Sequence, residues 1–421
     1  MPFRKRAPVA GDAVAGALSS RPPMERAQAG RAEGAGGTHP RGEAEPSSRV
    51  GRLVYLCLQA TREGQASHAH VHEIVGGLRR RGWDVELREP AYATTAHRVG
   101  LHQRAWEFLA VQWRVCTGPA PDFLYIRSHP TTLPTALWAR ARRIPVVHEI
   151  NGPYADLFLA YPWLRPLAPV WRWLIRTPLR LADALITVTP ELKRWAADET
   201  GVAGESITVV PNGANTERFR PRRHGEESER PSWVPGTPYV VFVGALAKWQ
   251  GIGTLLKAVR STEWPEDVHL VIAGDGAARA EVETAAQTDP RVLYLGRVPY
   301  GAVPELLRCS FAALSPQVDP DGRAAIGVSP VKLYEALACG VPVIVTDIAG
   351  QADLVRRHGC GLVVPMEDPG ALAAAVGQLW ADPARRSAMG SIGRTLMEQE
   401  HSWEIRAAAT HAVLLNVVGR T

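Results

Sequence analysis

Apolar residues come in short unbroken runs, spaced by amphipathic stretches of helix length, and this alternation occupies most of the chain. The first run, GRLVYLCLQA from Gly51, leads into the small-residue loop EGQASHAH. Next come VHEIVGGLRRRG, with helical spacing up to Gly82, and the run WDVELRE. Unbroken apolar runs mark strands covered on both faces, so the order predicts strand, loop, helix and parallel strand. PDFLYIRS, IPVVHEI and DALITVTP add strands at separations a helix fills. Periodicity stops over 218–238, RFRPRRHGEESERPSWVPGTP, a charged, proline-rich stretch expected to be a linker. Alternation then resumes with YVVFVGALA, GIGTLLKAVR, VHLVIAGDG, AARAEVETAAQ, VLYLGRV, VPELLRC and FAALSPQ. IGVSPVKLYEALACGVPVIV, CGLVVP and further helical segments complete it.

The expected fold class is α/β: two doubly wound, Rossmann-like parallel-sheet domains facing each other across a cleft. Residues 1–48 have almost no large apolar side chains and are expected to be a disordered tail. The first domain then covers 49–217 and the second 239–398. A C-terminal helix in 399–421 is expected to pack back towards the first domain.

Composition narrows the function. Formal charge is 48 − 42 = +6, carried mostly by scattered arginines, so nucleic acid is not an expected partner. The five cysteines form no Cys-x-x-Cys pair and read as reduced thiols of a cytoplasmic protein. No apolar run reaches the roughly 18–20 residues that span a bilayer. The start, MPFRKRAPVAGDAVAGALSS, has too short and broken an apolar part for a secretory signal.

Open parallel sheets bind ligands beyond the carboxyl ends of their strands, so the loops after each run carry the candidate chemistry. Gly64, Gln65, Ala66 and Ser67 precede a helix and let backbone N–H groups approach an anion, or simply make a tight turn. VGALAKWQG and AGDGA are similar loops. In the stretch from Ile326, Ser329 stands at the N-cap position and Pro330 at the first helical position. Lys332 then falls in the first turn, where the helix dipole disfavours a cation unless an anion is bound. Glu335 is either its partner at i, i+3 or an acceptor for two vicinal hydroxyls. His72-Glu73 and His148-Glu149 lack a second histidine four positions on, so a metal site is not expected. Neither Gly-x-Ser-x-Gly nor a Gly-x-Gly-x-x-Gly turn is present.

Several segments together resemble the retaining glycosyltransferases of family four, which have the GT-B fold. DALITVTPELKRWAADETGVAGESITVVPNGANTERFRP, 183–221, resembles the end of that family's first domain. FVGALAKWQGIGTLLKAV, VIAGDG, VLYLGRVPYGAVPELLRCS and SPVKLYEALACGVPVIVTD match its nucleotide-domain motifs in order. The resemblance implies sugar transfer from a nucleotide-diphosphate sugar to a glycan, lipid-linked or small-molecule acceptor, with retention and with neither metal nor cofactor. It assigns Glu335 to the ribose and Gly296, Arg297 and Val298 to the base. The pyrophosphate falls to the loops at Gly244, Gly274, Gly327, Val328 and Ser329, with 64–67 closing from the first domain.

The sequence also departs from the family pattern. Gly327 stands where the family keeps a sugar-contacting Glu. Ala245 and Gln250 replace its phosphate-binding Arg and Lys, and Asn151 replaces its donor-facing His. Ser-Pro-x-Lys-x-x-Glu and Trp-Gln-Gly resemble a variant pattern in which Lys332, with Lys248, supplies the missing charge. Lys332, Glu335 and Asn151 are the expected catalytic residues. A catalytically impaired member that binds a sugar nucleotide or a partner is the alternative. Arg127, His129, His148, Glu149 and Asn151 are strand-end candidates for the acceptor. The segment 161–180, YPWLRPLAPVWRWLIRTPLR, interleaves Trp with Arg, as suits the inner face of a membrane or packing on the first domain.

Overall fold

The computed structural model describes residues 50–94, 100–153, 157–158, 161–222 and 231–419. The expected tail, 1–48, and residues 223–230 of the expected linker lie outside them.

Among the described residues there are two six-stranded parallel sheets. The first contains β1 (Gly51–Cys57), β2 (Trp83–Arg88), β3 (Phe123–Arg127), β4 (Val146–Ile150), β5 (Ala184–Thr187) and β6 (Ile207–Val209). Its order is β2-β1-β3-β4-β5-β6, so the winding reverses between β1 and β3. The second contains β7 (Tyr239–Val243), β8 (His269–Ala273), β9 (Val292–Gly296), β10 (Ala312–Ser315), β11 (Val343–Thr346) and β12 (Gly361–Val364). Its order, β12-β11-β10-β7-β8-β9, reverses between β7 and β10. These two reversals are where ligands of such sheets bind.

The apolar runs become strands because each is covered on both faces. On β1, Leu53 and Tyr55 face α1 (Ala66–Arg80), whereas Val54 and Leu56 face α2 (Leu101–Thr117). Beside α2 lie α3 (Leu133–Arg142) and α4 (Ala168–Leu181), which pack on each other. On β7 the same alternation sends Tyr239 and Val241 to one core and Val240 and Phe242 to the other.

Two further helices frame the cleft: α5 (Pro190–Thr200) after β5, and α6 (Val331–Ala338) after β10. The last helix, α7 (Trp403–Val418), lies on α1 of the first domain. A Cβ on Gly77 would fall 2.2 Å from that of Ala407, so the glycine inside α1 permits the close approach. Trp403 is buried in the first domain's core with Ile74 and Leu78.

Helix α6 starts one residue later than its sequence suggests. Pro330 is the N-cap, with extended backbone, and Val331 is the first helical residue. Ser329 does not cap the helix. Its Oγ accepts from the backbone N–H of Asn212 at 3.0 Å and lies 2.9 Å from the Tyr334 hydroxyl. A serine expected to serve one helix instead ties two parts of the chain together, and local spacing carries no sign of that.

Candidate active site

At the reversal of the second sheet, the loops after β7, β8 and β10 stack backbone on backbone. A Cβ on Gly274 would lie 1.8 Å from the carbonyl oxygen of Gly244. One on Gly251 would lie 1.8 Å from that of Pro316. Both glycines have positive φ, 149° and 69°, so shape and conformation require the same residue. The result is a tight stack of peptide groups at the strand ends.

Lys332 emerges from the first turn of α6 against this stack. Its Nζ lies 3.8 Å from the centre of the Phe242 ring and donates to Oε1 of Gln250. A Cβ on Gly244 would come within 3.2 Å of it. Burial pushes the Lys332 ammonium down to about 7. Neither contact provides a countercharge, so the cation is held in place by an aromatic face and an amide. Lys248 lies on the same Lys248–Gln250 turn with its side chain exposed.

Glu335 lies one turn along α6, and no ion pair joins it to Lys332. It accepts a hydrogen bond from the Tyr300 hydroxyl at 2.7 Å instead. Burial, with Glu73 of α1 adding repulsion, raises its carboxyl to about 7, while Tyr300, Arg218 and Lys332 oppose the shift. Tyr300 belongs to the VLYLGRVPYGAVPELLRCS motif, is not among the sequence candidates, and its hydroxyl orients the glutamate. Of the neighbouring candidates, Gly296 has φ 64° with open space around it, and Val298 packs against the core. Arg297 is exposed and donates to Asp275 at 3.1 Å.

The first domain closes the far side of the cleft through α5. Thr189, its N-cap, accepts from Leu192 N–H and donates to the Ile326 carbonyl at 2.7 Å. The neighbouring Glu191 points at Gly327, where a Cβ would meet Glu191 Oε2 at 2.9 Å. Glu191 Oε1 accepts from Arg194, whereas Oε2 is buried with no hydrogen-bond partner among the described residues. A carboxylate from the other domain thus occupies the space beside the glycine. Nothing in the sequence around Glu191, in the first turn of α5, marks it as a site residue.

Val328 is held by its N–H to the Ala349 carbonyl at 2.9 Å. Across the cleft, Gly64 has φ 83° with nothing near its Cβ position. Helix α1 starts at Ala66 and Ser67 after Gln65, whose side chain accepts from Arg62 N–H rather than capping the helix.

Most acceptor-side candidates sit below the surface, which corrects the sequence reading. His148 faces the core, fully buried, with neither ring nitrogen partnered among the described residues, and burial pushes its imidazole down to about 3. Glu149, the next residue, faces the other way into a polar cluster. It accepts from Tyr125 at 2.6 Å, from Arg127 at 2.7 Å, from Tyr55 at 3.3 Å and from Asn151. His70 Nε2 lies 2.8 Å from the same carboxylate. Burial alone would raise the Glu149 carboxyl, but His70 and Arg127 outweigh it and hold it well below the usual range. Arg127 and Glu149 therefore support the strand ends and are not exposed to an acceptor. Asn151 is partly exposed at the end of β4, oriented by Glu149, and His129 lines a cavity beside β3.

The cluster continues across the domain boundary. His70 Nδ1 is 2.7 Å from Asn212 Oδ1, and Asn212 Nδ2 donates to the Ser329 carbonyl at 2.6 Å. Asn215 donates to Glu73 at 2.8 Å. Pro211-Asn212-Gly213 is thus a polar strap joining α1 to the loop before α6. Among the described residues no group of three or more His, Cys, Asp or Glu side chains is placed to hold a metal ion.

Comparison with known proteins agrees with this geometry. Residues 67–218 match the model of glycosyltransferase family 4, and 237–382 that of glycosyl transferases group 1. A GDP-mannose-dependent alpha-mannosyltransferase of Mycobacterium tuberculosis is 30% identical over 299 residues, covering 66% of this chain and 71% of its own. A GDP-mannose-dependent monoacylated alpha-(1-6)-phosphatidylinositol monomannoside mannosyltransferase of Corynebacterium glutamicum is 31% identical over 202 residues, 47% of this chain. The chain spans about half the length of that relative, 52%. Among solved structures, sucrose-phosphate synthase from Thermosynechococcus elongatus superposes with a TM-score of 0.70 at 17% identity, covering 88% of this chain and 100% of its own. The two facing parallel sheets are the GT-B fold, and the chain belongs to the group 1, family 4 glycosyltransferases.

Proposed function

We propose that the protein transfers a sugar from a nucleotide-diphosphate sugar to a glycan or lipid-linked acceptor, with retention of configuration and without a metal ion. The observation that carries this reading is Lys332, an ammonium at the start of α6 with no ion-pair partner among the described residues, against the stacked backbone of Gly244 and Gly274. A diphosphate there completes its coordination. When the bond from the sugar carbon to the diphosphate oxygen breaks, the electron pair goes to the phosphate. Lys332 and the backbone N–H groups of the α6 entry and the 64–67 loop are fixed donors for that charge. The acceptor hydroxyl forms the new bond and its proton leaves with the diphosphate. Glu335, oriented by Tyr300, holds the ribose hydroxyls, and Asn151 lies on the acceptor side.

Glu191 takes the part of the carboxylate missing at Gly327, holding the donor sugar from the first domain. Support comes from its buried, unpartnered Oε2 beside that glycine. The similarity to GDP-mannose-dependent enzymes makes GDP-mannose the first donor to test. The same reading puts the protein in the cytoplasm, peripherally on the inner face of the membrane, through 161–180. Its exposed Trp163 and Trp173 and its arginines support this.

The second reading, a binding protein without turnover, draws on the charges missing at Ala245, Gln250 and Gly327. Incubation with a panel of radiolabelled nucleotide sugars separates the two. Donor-dependent transfer or hydrolysis supports the enzyme. Saturable binding with no turnover of any donor, across acceptor extracts, overturns it in favour of the binder.

A further inference from the structure

A line of polar groups runs from the acceptor side of the first domain to the donor side of the second. Asn151, at the end of β4, donates to Oε1 of Glu149. His70 of α1 sets Nε2 2.8 Å from the same oxygen. Its Nδ1 lies 2.7 Å from Oδ1 of Asn212, and Nδ2 of Asn212 donates to the Ser329 carbonyl at 2.6 Å. The backbone N–H of Asn212 also donates to Ser329 Oγ, so one residue grips Ser329 twice. His70 and Glu149 are buried, and the imidazole packs edge to face with the Trp403 indole.

Chemistry fixes the direction of each step in this line. A backbone carbonyl only accepts, so the Asn212 amide turns its nitrogen to Ser329 and its oxygen to His70. That oxygen only accepts, so His70 Nδ1 carries a proton. The ionised Glu149, which also takes Arg127 and Tyr125, only accepts too, so Nε2 carries the second. His70 is therefore an imidazolium held between a carboxylate and an amide. A buried line with its donors and acceptors all assigned has one register, whereas an apolar contact tolerates sliding. The loop it ends on, 326–329, is held by the first domain at both ends, through Thr189 on Ile326 and Asn212 on Ser329. Lys332 and Glu335 instead take their contacts from Gln250, Phe242 and Tyr300 of the second domain. Holding the nucleotide and aligning the two sides of the cleft thus fall to different residues.

We propose that His70 and Asn212 are positioning residues of the sugar transfer. They keep Asn151, on the acceptor side, and Ser329, on the donor side, in one register, so that the acceptor hydroxyl meets the sugar carbon as the diphosphate leaves. Both act through Asn151 and Ser329 and not on the substrates. The proposal rests on the glycosyltransferase reading for its chemistry, whereas the link between the two sides can be measured with a nucleoside diphosphate alone.

The test variant is Asn212→Asp in the full chain, which keeps the shape and the acceptor for His70 but removes the donor to Ser329. Asn212→Ala controls for the added charge, and neither strands Glu149 as removal of His70 does. The ratio of transfer to donor hydrolysis is independent of the folded fraction. It should fall about tenfold or more in both variants, because water needs no register with Asn151. Asn212→Ala should bind GDP or UDP, whichever the wild type prefers, within about twofold of wild type, since Lys332 and Glu335 are untouched. In the wild type that nucleotide should slow amide exchange at 149–152 as well as at 326–333; in the variants it should protect only the second segment. Nitrogen–proton NMR of histidine-labelled protein should show both His70 ring nitrogens protonated, with His70 identified by its contact to Trp403. An unchanged ratio, a parallel loss of nucleotide binding and transfer in Asn212→Ala, or an unprotonated His70 nitrogen each overturns the proposal. If no nucleotide sugar is turned over, the glycosyltransferase reading fails, and the exchange and NMR results by themselves decide whether the two sides are linked through His70.

Discussion

Lys332 on α6 and Gln250 on the loop after β7 are joined by a hydrogen bond, with Nζ stacked over Phe242. The pair explains how a lysine is tolerated at the start of a helix. An amide oxygen and a π face hold the ammonium without neutralising it, so it remains available to an anion. Replacing Lys332 with Ala should lower donor affinity and turnover by about one to two orders of magnitude, the scale of one charge-assisted contact. Arginine should restore part of it. Isothermal titration with the nucleoside diphosphate and initial rates measure both, and a near-normal alanine variant would falsify the assignment.

Donor affinity should be bell-shaped in pH around neutrality. Lys332 is pushed down to about 7 and must be protonated to hold the diphosphate, so affinity falls as pH rises above that value. Glu335 is pushed up to about 7 and must be ionised to accept from ribose hydroxyls, so affinity falls below it. Each limb should approach about tenfold per pH unit. Lys332→Arg should flatten the alkaline limb and Tyr300→Phe should move the acid limb upward, because the carboxylate loses a donor. Titration of the dissociation constant between pH 5.5 and 8.5 shows whether this is so.

Glu191→Gln should raise KM for the donor sugar nucleotide by about tenfold while binding of the free nucleoside diphosphate stays constant. One charged hydrogen bond to the sugar is lost, and nothing that touches the nucleotide changes. Equal losses for both ligands would mean that Glu191 serves packing between the domains. Gly327→Glu should not rescue it, since its Cβ would crowd Glu191 and the residue needs φ 67°.

His70→Ala should destabilise the fold by roughly 3–5 kcal/mol, because it leaves Glu149 buried with fewer partners. The folded-state pKa of Glu149 is depressed, so its contribution is complete above the ordinary carboxylate range. It is lost as pH falls through and below that range. The variant's deficit relative to wild type should therefore be full at pH 7, begin to shrink once pH falls below the ordinary carboxylate range, and vanish only well below it, as urea melts at pH 7 and pH 3 can begin to show.

Trp403→Ala should cost roughly 3–5 kcal/mol and release α7 from α1, since the indole is buried in the first domain's core. Hydrogen exchange should show α1 and α7 losing protection together, with the second sheet unaffected.

Buried strands, helices and loops were legible because each obeys a local rule. Unbroken apolar runs such as Tyr239–Val243 can only be strands covered on both faces, and the glycines at 244, 251 and 274 mark backbone contacts that admit no side chain. Lys332 and Glu335 were readable for the same reason: their separation on one helix fixes them on neighbouring positions. The sequence by itself thus determined the two-sheet architecture and the loops at the strand ends, and placed Lys332 and Glu335 among them. Tertiary structure decided which groups meet from distant parts of the chain. Glu191 beside Gly327 and Asn212 between His70 and Ser329 depend on one domain closing on the other, and Tyr300 meets Glu335 only because two separate segments of the second domain converge. Strand alternation also buried His148 and turned Glu149 inward, though both looked equally exposed at a strand end. Periodicity records what each residue owes to its immediate neighbours; contacts across a cleft leave no period to read.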